Sequence, residues 1–246
     1  MPCHATDQVI ESNRKAACST LPSNLARPSI RLAGDFGERQ SLYSESGERK
    51  YLNRVERLRF LRVIEGFETP RALFCLVLTF TGARLSEVLA LSARSFDLDM
   101  STVCIVTLKR RKHSVREVPI PRWLTARLAR HFMLRTLQQG EDAGRKLWPW
   151  CAVTGWRIVK AGMKLAEIVG LRACPRGLRH AFGVISLQGG AHLNLIQRWM
   201  GHARMTTTAI YASVSGPEEW FFAEKVWRFA SGAVPPEERP HAALAA

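Results

Sequence analysis

Tyrosine is scarce in this 246-residue chain, which has only Tyr43, Tyr51 and Tyr211. Cysteine occurs six times but never as a C-x-x-C pair, and one of the six, Cys75, sits inside the apolar run ALFCLVLTF. That scatter argues against structural zinc and points to a reducing compartment. The same run, 72–80, is the longest apolar stretch, far short of the ~20 residues a bilayer-spanning helix needs. The N-terminal MPCHATDQVIESNRK has no apolar signal-peptide core, so the expectation is a cytoplasmic protein that makes no membrane contact. Acidic side chains are also few, 21 against 36 Lys and Arg, for a net charge of +15. Residues 1–50 carry seven basic and six acidic groups, leaving 29 − 15 = 14 of the surplus charges from Tyr51 onward. A folded part with that excess favours a polyanion as partner, nucleic acid or a membrane surface.

The hydrophobic content of 46% suits one sizeable core. Residues 1–48, rich in serine and lacking apolar periodicity, read as a disordered or weakly ordered leader. A folded domain is expected over 49–232 and a flexible tail over 233–246. Helical spacing begins in YLNRVERLRFLRVIEGF and ends at Glu65-Gly66. Thr69-Pro70 opens a second helix through Phe80, Thr81-Gly82 breaks it, and RLSEVLAL forms a short third. Thr102 to Leu108 and VREVPIP are strands of a hairpin whose tip is the cationic KRRKHS, with Pro121 as the stop. Helical patterns follow in PRWLTARLARHFMLRTLQQ, about Val153 to Val169, GLRHAFGVISLQ, LNLIQRWM and MTTTAIYASV. The fold class is therefore predominantly α with a small antiparallel β-sheet. After Ser215-Gly216-Pro217-Glu218, which has the form of a capping box, Trp220, Phe221, Phe222, Val226, Trp227 and Phe229 load a terminal helix with apolar surface. Such a load suits either its own core or a neighbouring subunit.

Four stretches carry candidate chemistry: TGARLSEVLAL with Arg84 and Glu87, the hairpin tip from Lys109 to Lys112, PRGLRHAFG with Arg176 and Arg179, and GHARMTTTAIY with His202 and Tyr211. Singly, each has a bland reading. Arg84 is compatible with a surface ion pair, Tyr211 with a core aromatic whose hydroxyl is satisfied, and His202 with a charge on a helix C-terminus.

Together the boxes TGxRxSE, LRH and GHxxxxTTxxY, in that order around a basic hairpin, closely resemble the tyrosine recombinase, or phage-integrase, family from roughly Tyr51 to Trp227. The resemblance implies that family's catalytic-domain fold. It also implies a site-specific DNA strand transfer in which Tyr211 attacks phosphorus and forms a 3′-phosphotyrosyl link while a 5′-hydroxyl leaves. The ester conserves bond energy, so no cofactor and no metal are expected. Two-metal transfer would need clustered carboxylates, which the acidic residues do not form. Phosphodiester attack gathers charge on the non-bridging oxygens, and a guanidinium fork meets such charge with paired bonds and stays protonated. Arg84 and Arg179 are assigned that clamp. His202 donates to a phosphate oxygen, Glu87 supports Arg84 or its helix neighbours, and Gly201 marks close backbone approach at a turn. Lys109, with Lys112 as reserve, is the expected proton donor to the 5′-oxygen. Arg110, Arg111 and Lys112 are assigned to DNA phosphates. The expected partner is double-stranded DNA, bound by a homo-oligomer, a tetramer on two sites, joined through the C-terminal helix and serving a mobile genetic element.

Two departures from the family pattern stand out. Its second box usually reads His-x-x-Arg, and here Arg176 holds the histidine position; an arginine has no acceptor and cannot take the Tyr211 proton. That task is expected to fall to His202 or water, with His180 a supporting residue. Family members also commonly carry a helical DNA-clamping domain first, and only about 48 unpatterned residues precede this one, so a minimal catalytic unit with weak DNA binding, or one helped by an accessory DNA-binding protein, is expected. The competing readings are a non-catalytic DNA-binding relative and a type IB topoisomerase-like relaxing enzyme.

Overall fold

The computed structural model describes residues 41–107, 114–213 and, near the C-terminus, residues 223, 224, 226–228 and 230. The leader expectation up to residue 40, the hairpin-tip residues Lys109, Arg110, Arg111 and Lys112, and Trp220 lie outside the described residues. Helices α1 (Arg54–Glu65), α2 (Thr69–Thr81) and α3 (Leu85–Leu89) precede strands β1 (Phe96–Asp97), β2 (Thr102–Thr107) and β3 (Ser114–Pro119). Helices α4 (Arg122–Phe132), α5 (Leu134–Gln139), α6 (Ala152–Leu165), α7 (Pro175–Gln188), α8 (Leu193–Met200) and α9 (Thr206–Ala209) follow, and a 3₁₀ turn, Ile210–Ser213, continues α9.

Helix α1 begins with a reciprocal cap. Asn53 accepts from the Glu56 N–H at 2.8 Å, and the Glu56 carboxylate accepts from the Asn53 N–H at 2.8 Å. Pro70 opens α2, and nine of its thirteen residues are buried. A helix apolar all round has only one stable place, the centre of the core. Phe74 meets Trp148 and Trp150 edge-on, each at 5.5 Å, and the Trp148 indole donates to the Pro70 carbonyl. The sheet runs β1-β2-β3, antiparallel throughout, with Val103 opposite Val118 and Ile105 opposite Arg116.

The helix expected over PRWLTARLARHFMLRTLQQ breaks at Met133, whose φ of 49° is left-handed. The break leaves Met133 exposed and lets Leu134 bury completely, so tertiary packing overrides the local periodicity. Strand β1 was not anticipated, because two residues carry no legible alternation. MTTTAIYASV, expected as one helix, is a single α turn followed by a 3₁₀ turn, consistent with the weak helix preference of its threonines.

The packed part also starts earlier than the expected boundary at 48/49. Leu42 is fully buried with Tyr51, Val184, Ile196, Met200 and Tyr211 in a second, smaller cluster. Tyr43 bridges Arg49, and the Glu48 carboxylate accepts from the Leu171 N–H at 2.8 Å. Leu42 is a lone apolar residue whose partners are distant in sequence, so no local pattern marks it. Leu42→Ala is expected to destabilise the domain by about 2–5 kcal/mol in urea unfolding. A loss under about 0.5 kcal/mol would remove residues 41–48 from the core.

Candidate active site

The site grows from the joint between α2 and α3. Arg84 caps α3, and one turn on, Glu87 turns its carboxylate back. It accepts from the Arg84 N–H at 2.9 Å, Arg84 Nη1 at 2.8 Å and Arg116 Nη2 at 2.6 Å. The Glu87 side chain has no solvent exposure. Burial pushes its pKa up, but the bond and charge of Arg116, with the Arg84 N–H and guanidinium, outweigh that and hold the carboxyl below the usual range. The clamp candidate Arg84 thus has an anionic footing.

Arg116 reaches that carboxylate because β3 alternates. Arg116, Val118 and Ile120 face inward while Val115 and Glu117 face out. Its Nε donates to the Trp199 carbonyl at 2.7 Å and its Nη1 to Thr107 Oγ1 at 3.0 Å. Gly201, at the end of α8, has φ 65°, and a Cβ there would lie 2.9 Å from Arg116 Nη1. Both the left-handed backbone and the guanidinium beneath it require glycine.

Arg179, on α7, is the second clamp candidate. Its Nη1 donates to the Gly82 carbonyl at 2.5 Å and its Nη2 to the Met200 carbonyl at 2.6 Å, pinning the ends of α2 and α8 together. Burial first, and then the charge of Arg84, lower its pKa to about 10. It remains a cation near neutrality.

Tyr211 lies in the 3₁₀ turn and is 1% exposed. Its ring rests on Gly183 of α7, where an added Cβ would come within 2.5 Å of Cζ. It lies nearly parallel to the His202 ring, at 12° with centroids 6.2 Å apart. The hydroxyl is 3.3 Å from His180 Nδ1. Burial pushes the phenol up to about 12, while the charges of Arg179 and Arg84 pull it down. Burial, then Arg179 and Arg84, hold His202 at about 3, and its Nδ1 is 3.0 Å from Thr208 Oγ1. His180 is held at about 4 by burial and by Arg179, Arg176 and Lys50. Near pH 7 the site therefore holds neutral imidazoles and a neutral phenol under fixed positive charge, an arrangement suited to receiving an anion. Among the described residues no group of three His, Cys, Asp or Glu side chains lies close enough to hold a metal ion.

The phage integrase family model matches residues 50–216. The chain belongs to the phage integrase family. Tyrosine recombinase XerA of Thermococcus kodakarensis is 29% identical over 170 residues, covering 68% of this chain and 58% of that protein. This integrase-family chain thus spans less than two thirds of the length of that relative. A crystal structure of XerA recombinase matches with a TM-score of 0.59 at 24% identity, over 72% of this chain and 64% of that one. XerH site-specific recombinase bound to difH substrate, in a pre-cleavage complex, matches with a TM-score of 0.57 at 22% identity, over 75% and 59%. At those identities the likeness establishes the fold: mostly helical with a small antiparallel sheet, as the motifs implied.

Within this integrase fold, Arg84, Glu87, Arg179, His180, His202 and Tyr211 come together from three separate stretches. Arg176 sits exposed at the start of α7 and bonds no partner among the described residues, though its charge acts on His180. Lys109, Arg110, Arg111 and Lys112 lie outside the described residues. Arg116 is the site residue that motif reading passed over. Its signal was there: counting back by twos from the apolar Ile120 and Val118 places a charged residue on the buried face. Arg116→Met is expected to cost about 3–5 kcal/mol in urea unfolding, because it strands a buried carboxylate. Adding Glu87→Leu should recover much of that loss. Unfolded histidines titrate near 6.5. As pH falls below that value the unfolded chain takes up protons that folded His180 and His202 refuse until about 4 and 3. Their contribution is therefore whole above about 6.5 and drains away below it. His202→Gln should flatten the fall in urea midpoint between about pH 6.5 and 4; an unchanged slope would refute the assignment.

Proposed function

We propose that this protein is a site-specific DNA recombinase in which Tyr211 is the nucleophile. The observation that carries this reading is that the family fold packs Tyr211 against His202 and His180, beside the oriented guanidinium groups of Arg179 and Arg84, whose charges both act on the phenol. A phosphodiester seated there meets two guanidinium groups placed for the charge its oxygens gather, and interactions of this kind are worth about 2.7–4 kcal/mol each. Arg179 is already oriented by two backbone carbonyls and Arg84 by Glu87, so little reorganisation is needed as the reaction proceeds. Tyr211 Oη attacks phosphorus, the 3′-phosphotyrosyl ester forms, and the 5′-oxygen leaves with a proton from the hairpin lysine, Lys109 or Lys112. His202 turns its free ring nitrogen to a non-bridging oxygen, and Arg176 pairs with backbone phosphate at the rim. Rejoining reverses the step on a second strand. A phosphate reaches Oη only once the side chains around Tyr211 part, so DNA must open the site.

The partner is double-stranded DNA, as the positive charge beyond Tyr51 and the match to XerH site-specific recombinase bound to its difH substrate support. We read the domain as running from about residue 41 to 232, acting as a homo-oligomer for a mobile genetic element in the cytoplasm. Val226 and Trp227, exposed on the described part of the terminal helix, supply apolar surface for subunit contact. A non-catalytic DNA-binding role is the second reading, favoured by the buried, hydrogen-bonded phenol.

The deciding measurement uses nicked suicide duplexes built from inverted repeats flanking the coding region. The full chain is expected to form a covalent adduct that Tyr211→Phe abolishes and that Arg84→Ala slows by about 10²–10³. No adduct on any of them, with duplex binding retained, would leave the non-catalytic reading.

A further inference from the structure

Transfer of Tyr211 to phosphorus leaves one chemical task unassigned, removal of the phenolic proton. Arg176 cannot do it, since a guanidinium has no acceptor. His202 faces the tyrosine ring to ring, with Nδ1 occupied by Thr208. Among the described residues one side-chain atom is bonded to Tyr211 Oη, and it is His180 Nδ1 at 3.3 Å. Resting on the recombinase reading above, we propose that His180 is the general base for Tyr211, accepting the phenolic proton at Nδ1 as Oη attacks phosphorus and returning it when the strand is rejoined. In the cleavage step the Oη–H and P–O5′ bonds break, and the Oη–P and Nδ1–H bonds form. The 5′-oxygen takes its proton from a separate donor.

The placement explains why the base sits beside the clamp. His180 follows Arg179 on α7, so the acceptor and the guanidinium that holds the phosphate move as one rigid unit. It also implies a resting state in which the base is weak. The groups facing His180 are Arg176 and Arg179 on its own helix, Lys50 from the segment before α1, and Tyr211 and His202 from the C-terminal part. Three of these are cations, and with burial they keep the imidazole a weak base. DNA phosphates pairing with the exposed Arg176 and with Lys50 neutralise two of the three. The ring's proton affinity then rises as substrate arrives. An arginine at 176 thereby acts as a switch on the base, with proton transfer held back until a phosphate is in place.

The test measures single-turnover adduct formation by the full chain on a nicked suicide duplex, with His180→Ala, His180→Gln and a ring-fluorinated tyrosine at position 211, whose phenol is more acidic. Duplex binding and urea midpoint are followed in parallel. The expected result is a fall of about 10²–10⁴ in cleavage rate for both His180 variants with binding retained. The fluorinated ring should restore about tenfold or more in the His180→Gln background and far less in the parent. Should His180→Ala fail to fold, the glutamine variant, which keeps an acceptor but does not titrate, decides alone. A His180→Gln rate within about threefold of the parent, or an equal gain from fluorination in both backgrounds, overturns the proposal. A parent protein that forms no adduct removes the recombinase reading along with it, whereas a parent adduct with fully active His180 variants removes this inference alone.

Discussion

Withdrawing the Glu87 carboxylate from water forces its charge to be met from within, and the groups that meet it are the guanidinium groups of Arg84 and Arg116. A buried ion cluster of this kind holds only while all its members are present, because removal of one leaves another charged and unsolvated. The cluster therefore works as a geometric constraint more than as a source of stability. Arg84 is a residue of the α2–α3 joint, Glu87 lies one turn into α3, and Arg116 comes from β3 and reaches on to the end of α8. Three parts of the chain are locked together at one carboxylate.

Arg179 extends that lock. Its two carbonyl contacts tie Gly82, just after α2, to Met200 at the end of α8. Spending part of a guanidinium on backbone gives the remaining donors a fixed direction, which is what a clamp for a short-lived anion needs. Burial, and then the same closeness of cations, lowers the basicity of His180 and His202, while those cations oppose the effect of burial on Tyr211. Burial and one electrostatic arrangement together orient the proposed clamp, keep the imidazoles neutral and make the pocket receptive to negative charge. Within the phage integrase fold, the nucleophile of the proposed reaction is itself a core side chain, packed with Leu42 and Met200. Stability and readiness to react are set at the same place.

Much of this was legible along the chain. Spacing placed the apolar α2, the hairpin strands and the short α3, since period 3.6 and period 2 are local properties. The boxes around Arg84, Arg179, His202 and Tyr211 named residues that the fold does bring together. What stayed hidden is non-local. Leu42 looked like part of a polar leader because its partners lie on α7, α8 and the 3₁₀ turn. Met133 breaks a helix that local preference would continue, because Leu134 gains burial by it. His180 read as a supporting residue, while the atom opposite the tyrosine hydroxyl is its Nδ1.

By itself, the order of residues determined the fold class, the basic character of the folded part and which side chains are candidates for the proposed phosphoryl transfer. Those depend on composition, periodicity and residue type, all of which are written locally. Only the tertiary structure decided which charges share a site, how deeply Tyr211 is buried and which imidazole its hydroxyl meets. Charge coupling and desolvation depend on distances across space, and residues as far apart as Gly82 and Arg179 come within hydrogen-bonding reach only when the helices pack.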